Sequence, residues 1–219
     1  MAKDFEASED GSANGAETHY TQCASMMLRR AKMVCQSGEY VCLIRDVSEL
    51  GVGLGFIHDV PPEPRVLLQL ANDLTYPVER VWTGKRQAGY RFGDNITVDD
   101  FLREQAPHQT RPLRLKIPAN VRIRDGRRVL DGRLLDLSCE GAKIACVVDG
   151  QPGHLVTFEL EGLPTQLAQM RWSEDGRHGL KFQQPIETEE LARCAMYLQP
   201  FAAPRSNTFS RLLAKARAA

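Results

Sequence analysis

Two short runs of the sequence share a spacing of aspartate, serine and glycine that can serve either a turn or a ligand. The D-x-S-x-x-G pattern occurs at residues 46–51 and 136–141, and its defining positions are Asp46, Ser48, Gly51, Asp136, Ser138 and Gly141. Aspartate and serine can accept hydrogen bonds from backbone N–H groups, and glycine allows a positive φ, so each run predicts a strand that ends in a tight turn. The aspartate could instead accept the N1 and N2 donors of a guanine base. Both interpretations stay open at this point.

Cationic residues are concentrated in the stretch of chain ahead of the second run. Residues 103–133 contain nine cations and three acids, and we call residues 110–118 (TRPLRLKIP) the arginine segment. A guanidinium can bind phosphate through two hydrogen bonds and can stack on a base, so Arg111 and Arg114 are candidates to hold a ligand. The alternative for these two is a solvated linker. For the five arginines between 122 and 133, we expect outward-facing strand positions and a hairpin loop.

A repeat with an offset of ninety residues relates the two runs. Eleven of the 47 pairs between residues 46–92 and 136–182 are identical, against about three expected from average composition. The only two tryptophans, Trp82 and Trp172, form one of these pairs. Two copies of one domain explain this pattern, which settles the expected domain count at two.

Each copy is predicted to be a string of short strands followed by a helix. Apolar residues alternate with other residues along 52–56, 66–70, 142–146 and 156–160, as they do in strands with one buried face. Asp175-Gly176 is a favoured hairpin dipeptide. Thr97 can cap a helix at 98–105, and a second helix is predicted at 189–198, ended by Pro200. The fold class is therefore all-β with flanking helices, as a small antiparallel barrel or sandwich in each copy.

Composition excludes several classes of function. Lys plus Arg and Asp plus Glu both number 28, so a net charge of zero argues against a uniformly basic body that binds nucleic acid. No run of apolar residues is long enough for a membrane helix, and the acidic N-terminus does not resemble a secretory signal. We therefore expect a cytoplasmic protein with reduced thiols and no integral membrane contact. The histidines and cysteines lack metal-ligand spacing, so neither a metal nor a cofactor is expected.

The order of these features resembles the PilZ domain, the bacterial receptor module for cyclic di-GMP. An arginine-rich segment precedes strands, the D-x-S-x-x-G run, and a downstream W…G-x-x-F pair, in two stretches at roughly 20–105 and 110–200. The resemblance implies two tandem six-stranded antiparallel barrels, each followed by a helix. It also implies that ligand binds between an arginine motif, typically R-x-x-x-R, and the D-x-S-x-x-G turn.

The second copy matches this pattern better than the first. The resemblance implies ligand contacts from Arg111, Arg114, Asp136, Ser138 and Gly141, with Thr110 where the motif typically has its first arginine. In the first copy, Asp46, Ser48 and Gly51 remain, but no arginine occupies the region equivalent to 110–114. Arg29 and Arg30 are adjacent on a strand or next to one, so both cannot enter one pocket. We expect the first copy to bind ligand weakly or not at all.

The repeat and the family resemblance together predict five segments along the chain. They are a disordered acidic segment (1–18), a degenerate first domain (19–105), a linker with the arginine motif (106–117), a second domain (118–200) and a basic tail or helix (201–219).

Two functional hypotheses follow. In the first, the protein is a cyclic di-GMP receptor that converts binding into a change of domain arrangement and of contact with an unidentified protein partner. In the alternative, it is a PilZ-like adaptor between proteins that does not bind nucleotide. A nucleic-acid-binding barrel is disfavoured because aromatic residues are only 7% of the chain and no Phe or Tyr lies in the basic stretch. No nucleophile, base or phosphate loop suggests an enzyme.

Overall fold

The computed structural model describes residues 29–102 and 112–201, which form two closed six-stranded antiparallel barrels. The elements of the first barrel are β1 (Arg29–Val34), β2 (Glu39–Val47), β3 (Gly51–Gly55), β4 (Arg65–Gln69), β5 (Thr75–Gly84), β6 (Gln87–Phe92) and α1 (Val98–Leu102). Those of the second are β7 (Ala119–Asp125), β8 (Arg128–Ser138), β9 (Gly141–Cys146), β10 (Leu155–Leu160), β11 (Gln166–Glu174), β12 (Arg177–Phe182) and α2 (Thr188–Leu198). The predicted fold class is confirmed. The predicted disordered segment at 1–18 lies outside the described residues, as does the predicted tail apart from Phe201.

The two barrels have the same strand order and the same register at an offset of ninety residues. Each closes in the order first, second, third, sixth, fifth, fourth strand. Leu43 pairs with Gly55 between β2 and β3, and Arg133 pairs with Ala145 between β8 and β9. The repeat found in the sequence is therefore a repeat of strand pairing as well.

Each barrel has its own hydrophobic core, as the period-two pattern predicts. The inward residues of β3 and β9, such as Leu54 and Ile144, are fully buried. Phe101 of α1 closes the first core, and Leu191 and Cys194 of α2 close the second. Observed α2 begins one residue before the predicted helix. The predicted end of the first helix at residue 105 lies outside the part of the chain that is described.

Asp175 and Gly176 both have positive φ, 47° and 71°, which confirms the predicted hairpin turn between β11 and β12.

The arginines of β7 point outward, as expected, and Arg122 and Arg124 pair with Glu159 of β10. The hydrogen bond from Arg124 lowers the pKa of the Glu159 carboxyl.

The barrels contact each other through β1 and β2 of the first and through α2 of the second. Tyr40 donates its buried hydroxyl to the carbonyl of Gln199 over 2.6 Å, and the side chain of Gln199 accepts from the Glu39 backbone N–H. Val41 packs into the core of the second barrel rather than its own. Within the described residues, no helix is long and apolar enough to cross a membrane.

Candidate ligand site

The 136–141 turn of the second barrel is held by contacts to the strand and the chain that follow it. Ser138 is fully buried and donates its hydroxyl to the Gly141 carbonyl over 3.1 Å. The carbonyls of Glu140 and Cys139 accept hydrogen bonds from the backbones of Phe182 and Ile186. The turn is thus tied to the end of β12 and to the chain entering α2, which fixes its backbone.

The predicted role of glycine in this turn is wrong. Neither Gly51 nor Gly141 has a positive φ. A Cβ on Gly141 would instead stand 2.0 Å from the Leu180 carbonyl oxygen, and one on Gly51 would stand 2.6 Å from that of Tyr90. Glycine is therefore required because the neighbouring strand passes too close for any side chain, a cause that depends on strand pairing.

A β-bulge turns Asp136 to the outer surface of the barrel. The pairing of β8 with β9 shifts register between Leu134 and Asp136. Because of this extra residue, Leu134 and Leu137 are both buried while Asp136 keeps an accessible carboxylate with 19% of its side chain exposed. The first barrel has the same bulge ahead of Asp46.

The described part of the arginine segment, residues 112–118, lies against this turn. Leu115 exchanges two backbone hydrogen bonds with Leu137, of 2.8 and 2.9 Å, and both Leu115 and Ile117 are fully buried in the second core. Arg114 therefore points outward, and its guanidinium pairs with the Asp136 carboxylate over 2.7 Å. The structure brings Arg114, Asp136, Ser138 and Gly141 together, whereas Arg111 lies outside the described residues.

A row of side chains on the outer surface continues from Asp136 across the barrel, and we call it the outer row. The sequence patterns did not single it out. Asp136 pairs in register with Lys143, Lys143 with Gly179, and Gly179 with Trp172. The Lys143 ammonium lies 5.6 Å from the Trp172 ring centre, and the indole covers Gly179 closely. An exposed aromatic face and two cations, Lys143 and Arg114, thus flank one carboxylate. In the sequence, only the repeated W…G-x-x-F spacing pointed to Trp172. The position of Lys143 beside Asp136 follows only from the register of β8 with β9.

The first barrel keeps the turn but has a different outer row. Ser48 contacts both the N–H and the carbonyl of Gly51, over 3.2 and 3.3 Å. Gly53 stands in the place of Lys143, and the Asp46 carboxylate lies over it, since a Cβ there would be 2.3 Å from Asp46 Oδ2. Trp82 covers Gly89 as Trp172 covers Gly179. Residues before Arg29 are outside the described part, so no counterpart of the arginine segment is described here.

A nearly buried ion pair of the first barrel holds the backbone of the arginine segment. Lys32 and Glu39 are 2.9 Å apart, with 10% and 12% of their side chains exposed. Lys32 Nζ also donates to the Arg114 carbonyl over 3.1 Å, and Glu39 accepts the Lys116 N–H over 2.8 Å. We call these four groups the Lys32–Glu39 clamp. Sequence reasoning missed it because the partners are about eighty residues apart.

Arg29 and Arg30 point to different neighbours, as the sequence predicts for adjacent strand residues. Arg29 donates to the Leu102 carbonyl of its own barrel. Arg30 donates to Thr188 Oγ1 of the second barrel over 3.1 Å and lies 3.7 Å from Cys139 Sγ. In residues 29–102 and 112–201, no group of three His, Cys, Asp or Glu side chains is arranged to bind a metal ion.

Comparison with protein families matches residues 107–199 to the PilZ domain. No curated protein matches the chain. Among solved structures, the chain is similar to the PlzA protein of Borreliella burgdorferi in complex with c-di-GMP, with 14% identity, a TM-score of 0.33, and coverage of 78% of this chain and 88% of that one. It is also similar to the inhibitor of motility MotI/DgrA of Bacillus subtilis, with 12% identity, a TM-score of 0.33, and coverage of 86% and 98%. YcgR of Escherichia coli in complex with c-di-GMP has 14% identity, a TM-score of 0.31, and coverage of 87% and 86%.

Proposed function

We propose that the protein is a receptor for cyclic di-GMP, because residues 107–199, which contain the second barrel, match the PilZ domain. In this proposal the ligand binds the outer face of the second barrel, between the arginine segment and the 136–141 turn. The observation that carries it is the juxtaposition of Arg114 and Asp136, two residues brought together by the pairing of Leu115 with Leu137. No catalytic step is proposed, because PilZ domains are generally receptors rather than enzymes.

Each residue of the site has a proposed role set by its exposure. Asp136 accepts the N1 and N2 donors of one guanine, and Arg114 binds a phosphate or stacks on a base. Ser138 and Gly141 act through the backbone, because Ser138 is fully buried and Gly141 has no side chain. Lys143 and Trp172 extend the same face with a second cation and an aromatic surface. Arg111 remains a predicted contact.

Binding requires the Arg114–Asp136 pair to open. Arg114 is half exposed, and ion pairs at the surface contribute only about 0–1 kcal/mol. A ligand that supplies both a phosphate for Arg114 and base donors for Asp136 replaces this pair with two charge-assisted contacts, which favours binding.

We propose that binding is passed to the first barrel through the Lys32–Glu39 clamp. The clamp contacts the backbone on both sides of Leu115, so a shift of Arg114 on binding would move groups that the first barrel holds. The first barrel would not bind nucleotide itself, since its outer row carries Gly53 in place of Lys143. Its changed position would instead alter contact with a protein partner.

The adaptor without nucleotide binding is the second candidate. It is favoured by one observation: Arg114 and Asp136 already satisfy each other. In that case the PilZ fold would serve only as a surface between proteins.

Calorimetric titration with cyclic di-GMP separates the two candidates. The intact protein should give saturable heat of binding in the micromolar range. Arg114→Ala and Asp136→Ala should each weaken binding about a hundredfold, so that no heat of binding is measurable at the same concentrations. Asp46→Ala is the matched control, because it removes the equivalent carboxylate from the first barrel, and it should bind as the unmodified protein does. Absence of heat with the unmodified protein would contradict the receptor function and leave the adaptor.

A further inference from the structure

We propose that Arg30 of the first barrel is a ligand-binding residue of the second barrel's site, where it contacts a phosphate. This inference rests on the proposed function and adds to it a residue that lies in the other domain. It makes the site composite, built by both barrels, although only the second carries the arginine segment and the full outer row.

Arg30 lies against the turn that forms the floor of the proposed site. Its guanidinium is 3.7 Å from Sγ of Cys139, the fourth residue of the 136–141 turn, and 3.1 Å from Thr188 Oγ1 at the start of α2. The backbone of Cys139 is itself fixed, since its carbonyl accepts the Ile186 N–H over 2.8 Å. Arg30 therefore contacts an ordered part of the turn across the domain boundary.

The path of the arginine segment places Arg114 and Arg30 on the same side of the turn. Leu115 and Leu137 pair antiparallel, so the residues that precede Arg114 run alongside Cys139. Lys32 is two positions after Arg30 on β1 and so belongs to the same strand face. Lys32 contacts the Arg114 carbonyl while Arg30 contacts Cys139, and β1 therefore runs beside the segment.

The Lys32–Glu39 clamp keeps β1 in that place. The charges of the clamp are nearly buried, so separating the barrels would expose the pair and leave the Lys116 N–H without its acceptor. Arg30 is consequently presented to the turn before any ligand arrives, and preorganised groups bind with a smaller loss of conformational freedom.

The charge of Arg30 is available to an anion. The charge of Arg114 is balanced by Asp136, and Lys143 lies over the Trp172 ring. The hydrogen-bond partners of Arg30 are a hydroxyl and a thiol, and no carboxylate of the described residues pairs with it. A cyclic dinucleotide carries two phosphates. Arg114 and Arg30, one from each side of the domain boundary, can contact one phosphate each.

Calorimetric titration of Arg30→Ala with cyclic di-GMP tests this inference. Loss of one charge-assisted contact should weaken binding about tenfold relative to the unmodified protein. Arg45→Ala is the matched control, since Arg45 is also an exposed arginine of the first barrel with an uncharged partner, Gln87, and it should leave the affinity within about twofold. Arg30→Lys keeps the charge without the bidentate fork and should give an intermediate affinity.

A second variant separates ligand contact from domain docking. Thr188→Val removes the hydroxyl that Arg30 contacts but leaves the cation, so its affinity should stay near that of the unmodified protein. If Thr188→Val weakens binding as much as Arg30→Ala, Arg30 acts only by docking the barrels and the inference is overturned. Equal affinity of Arg30→Ala and the unmodified protein also overturns it, while the receptor function stands. If the unmodified protein gives no heat, the receptor function itself fails, and the inference fails with it.

Discussion

The two barrels share one scaffold and differ in what they display on it. Both have the bulge before the aspartate, the serine that closes the turn, the glycine under the neighbouring strand and the tryptophan over a glycine. Their outer rows differ at one place, where Gly53 of the first barrel corresponds to Lys143 of the second. The difference indicates that the D-x-S-x-x-G pattern maintains the turn in both copies, and that the proposed binding face differs from its counterpart by the cation of Lys143.

The two barrels also use the equivalent face of their first two strands differently. Lys32 and Glu39 of the first barrel point at the arginine segment and are nearly buried. Their counterparts ninety residues later are Arg122, whose side chain is 55% exposed, and Val129, which is 50% exposed. One copy has thus become a docking surface for the other, while the second copy leaves that face to solvent.

The largest expected effect tests whether the turn is structural in both copies. Gly141→Ala should lower the free energy of unfolding by about 3 kcal/mol and Gly51→Ala by about 2 kcal/mol, because the added Cβ collides with a backbone carbonyl. The larger loss of stability is expected at Gly141 because the added Cβ would be 2.0 Å from the nearest carbonyl oxygen there, against 2.6 Å at Gly51. Urea denaturation monitored by tryptophan fluorescence measures both.

Gly126→Ala is the control for these glycines. Gly126 has a φ of +57° with open space around it, so only backbone strain of about 1 kcal/mol is expected. A cost at Gly141 no greater than at Gly126 would contradict the role assigned to the close strand.

The next effect concerns the docking face. Lys32→Ala should cost about 2 kcal/mol of stability, because it leaves the nearly buried Glu39 carboxylate without its charged partner. Arg122→Ala, its counterpart in the second barrel, should cost less than about 0.5 kcal/mol, since exposed pairs contribute little. Urea denaturation gives both values. Amide hydrogen exchange should also be faster at Lys116 in Lys32→Ala alone, and equal exchange in the two variants would rule out a clamp.

A reciprocal exchange tests the outer row. Lys143→Gly should weaken cyclic di-GMP binding about fivefold, because the site loses one cation beside Asp136 and Trp172. Gly53→Lys should not create a second site, since the Asp46 carboxylate occupies the space of the new Cβ and the sequence has no arginine in the region equivalent to 110–114. Calorimetric stoichiometry and affinity decide both. Two bound ligands in Gly53→Lys would show that the cation alone separates the barrels.

The smallest effect is a pH dependence that originates at His58 of the first barrel. His58 packs against Tyr40, Phe56 and Phe201, and burial lowers the pKa of His58, opposed by its hydrogen bond to the Asp59 carbonyl. The second barrel has Val148 at the equivalent position. Because the folded pKa lies below the unfolded one, the contribution of His58 is complete above about pH 6.5 and declines as the pH falls through the folded value.

Between about pH 7 and about pH 5, the unmodified protein should therefore lose more stability than His58→Val. Urea denaturation at several pH values gives the two profiles. Parallel profiles would mean that another group controls the acid sensitivity.

Much of the fold was predictable from sequence because it depends on local patterns. Alternation along 52–56 and 142–146 gave the strands, Asp175-Gly176 gave a hairpin, and helical spacing with Pro200 gave α2 to within one residue. The role of Gly141 was predicted wrongly because a turn glycine usually serves a positive φ, whereas here the neighbouring strand excludes a Cβ. Nothing local distinguishes these two causes.

The candidate site was predictable only in part for the same reason. Arg114 and Asp136 could be predicted as site residues because each belongs to a short spaced pattern, and the structure shows that their side chains pair. Lys143 was not, because its place beside Asp136 follows from the register of β8 with β9. The partners of the clamp are too far apart in sequence for any pattern to relate them.

By itself, the sequence determined the two copies, their strands, their helices and the turn shared by both, since periodicity and an offset of ninety residues are properties of the chain alone. Only the tertiary structure decided that Lys32 and Glu39 hold the arginine segment and that Arg30 reaches the turn of the other barrel. Hydrogen bonds and ion pairs form wherever packing brings side chains within a few ångströms, and that packing is a property of the two folded barrels together.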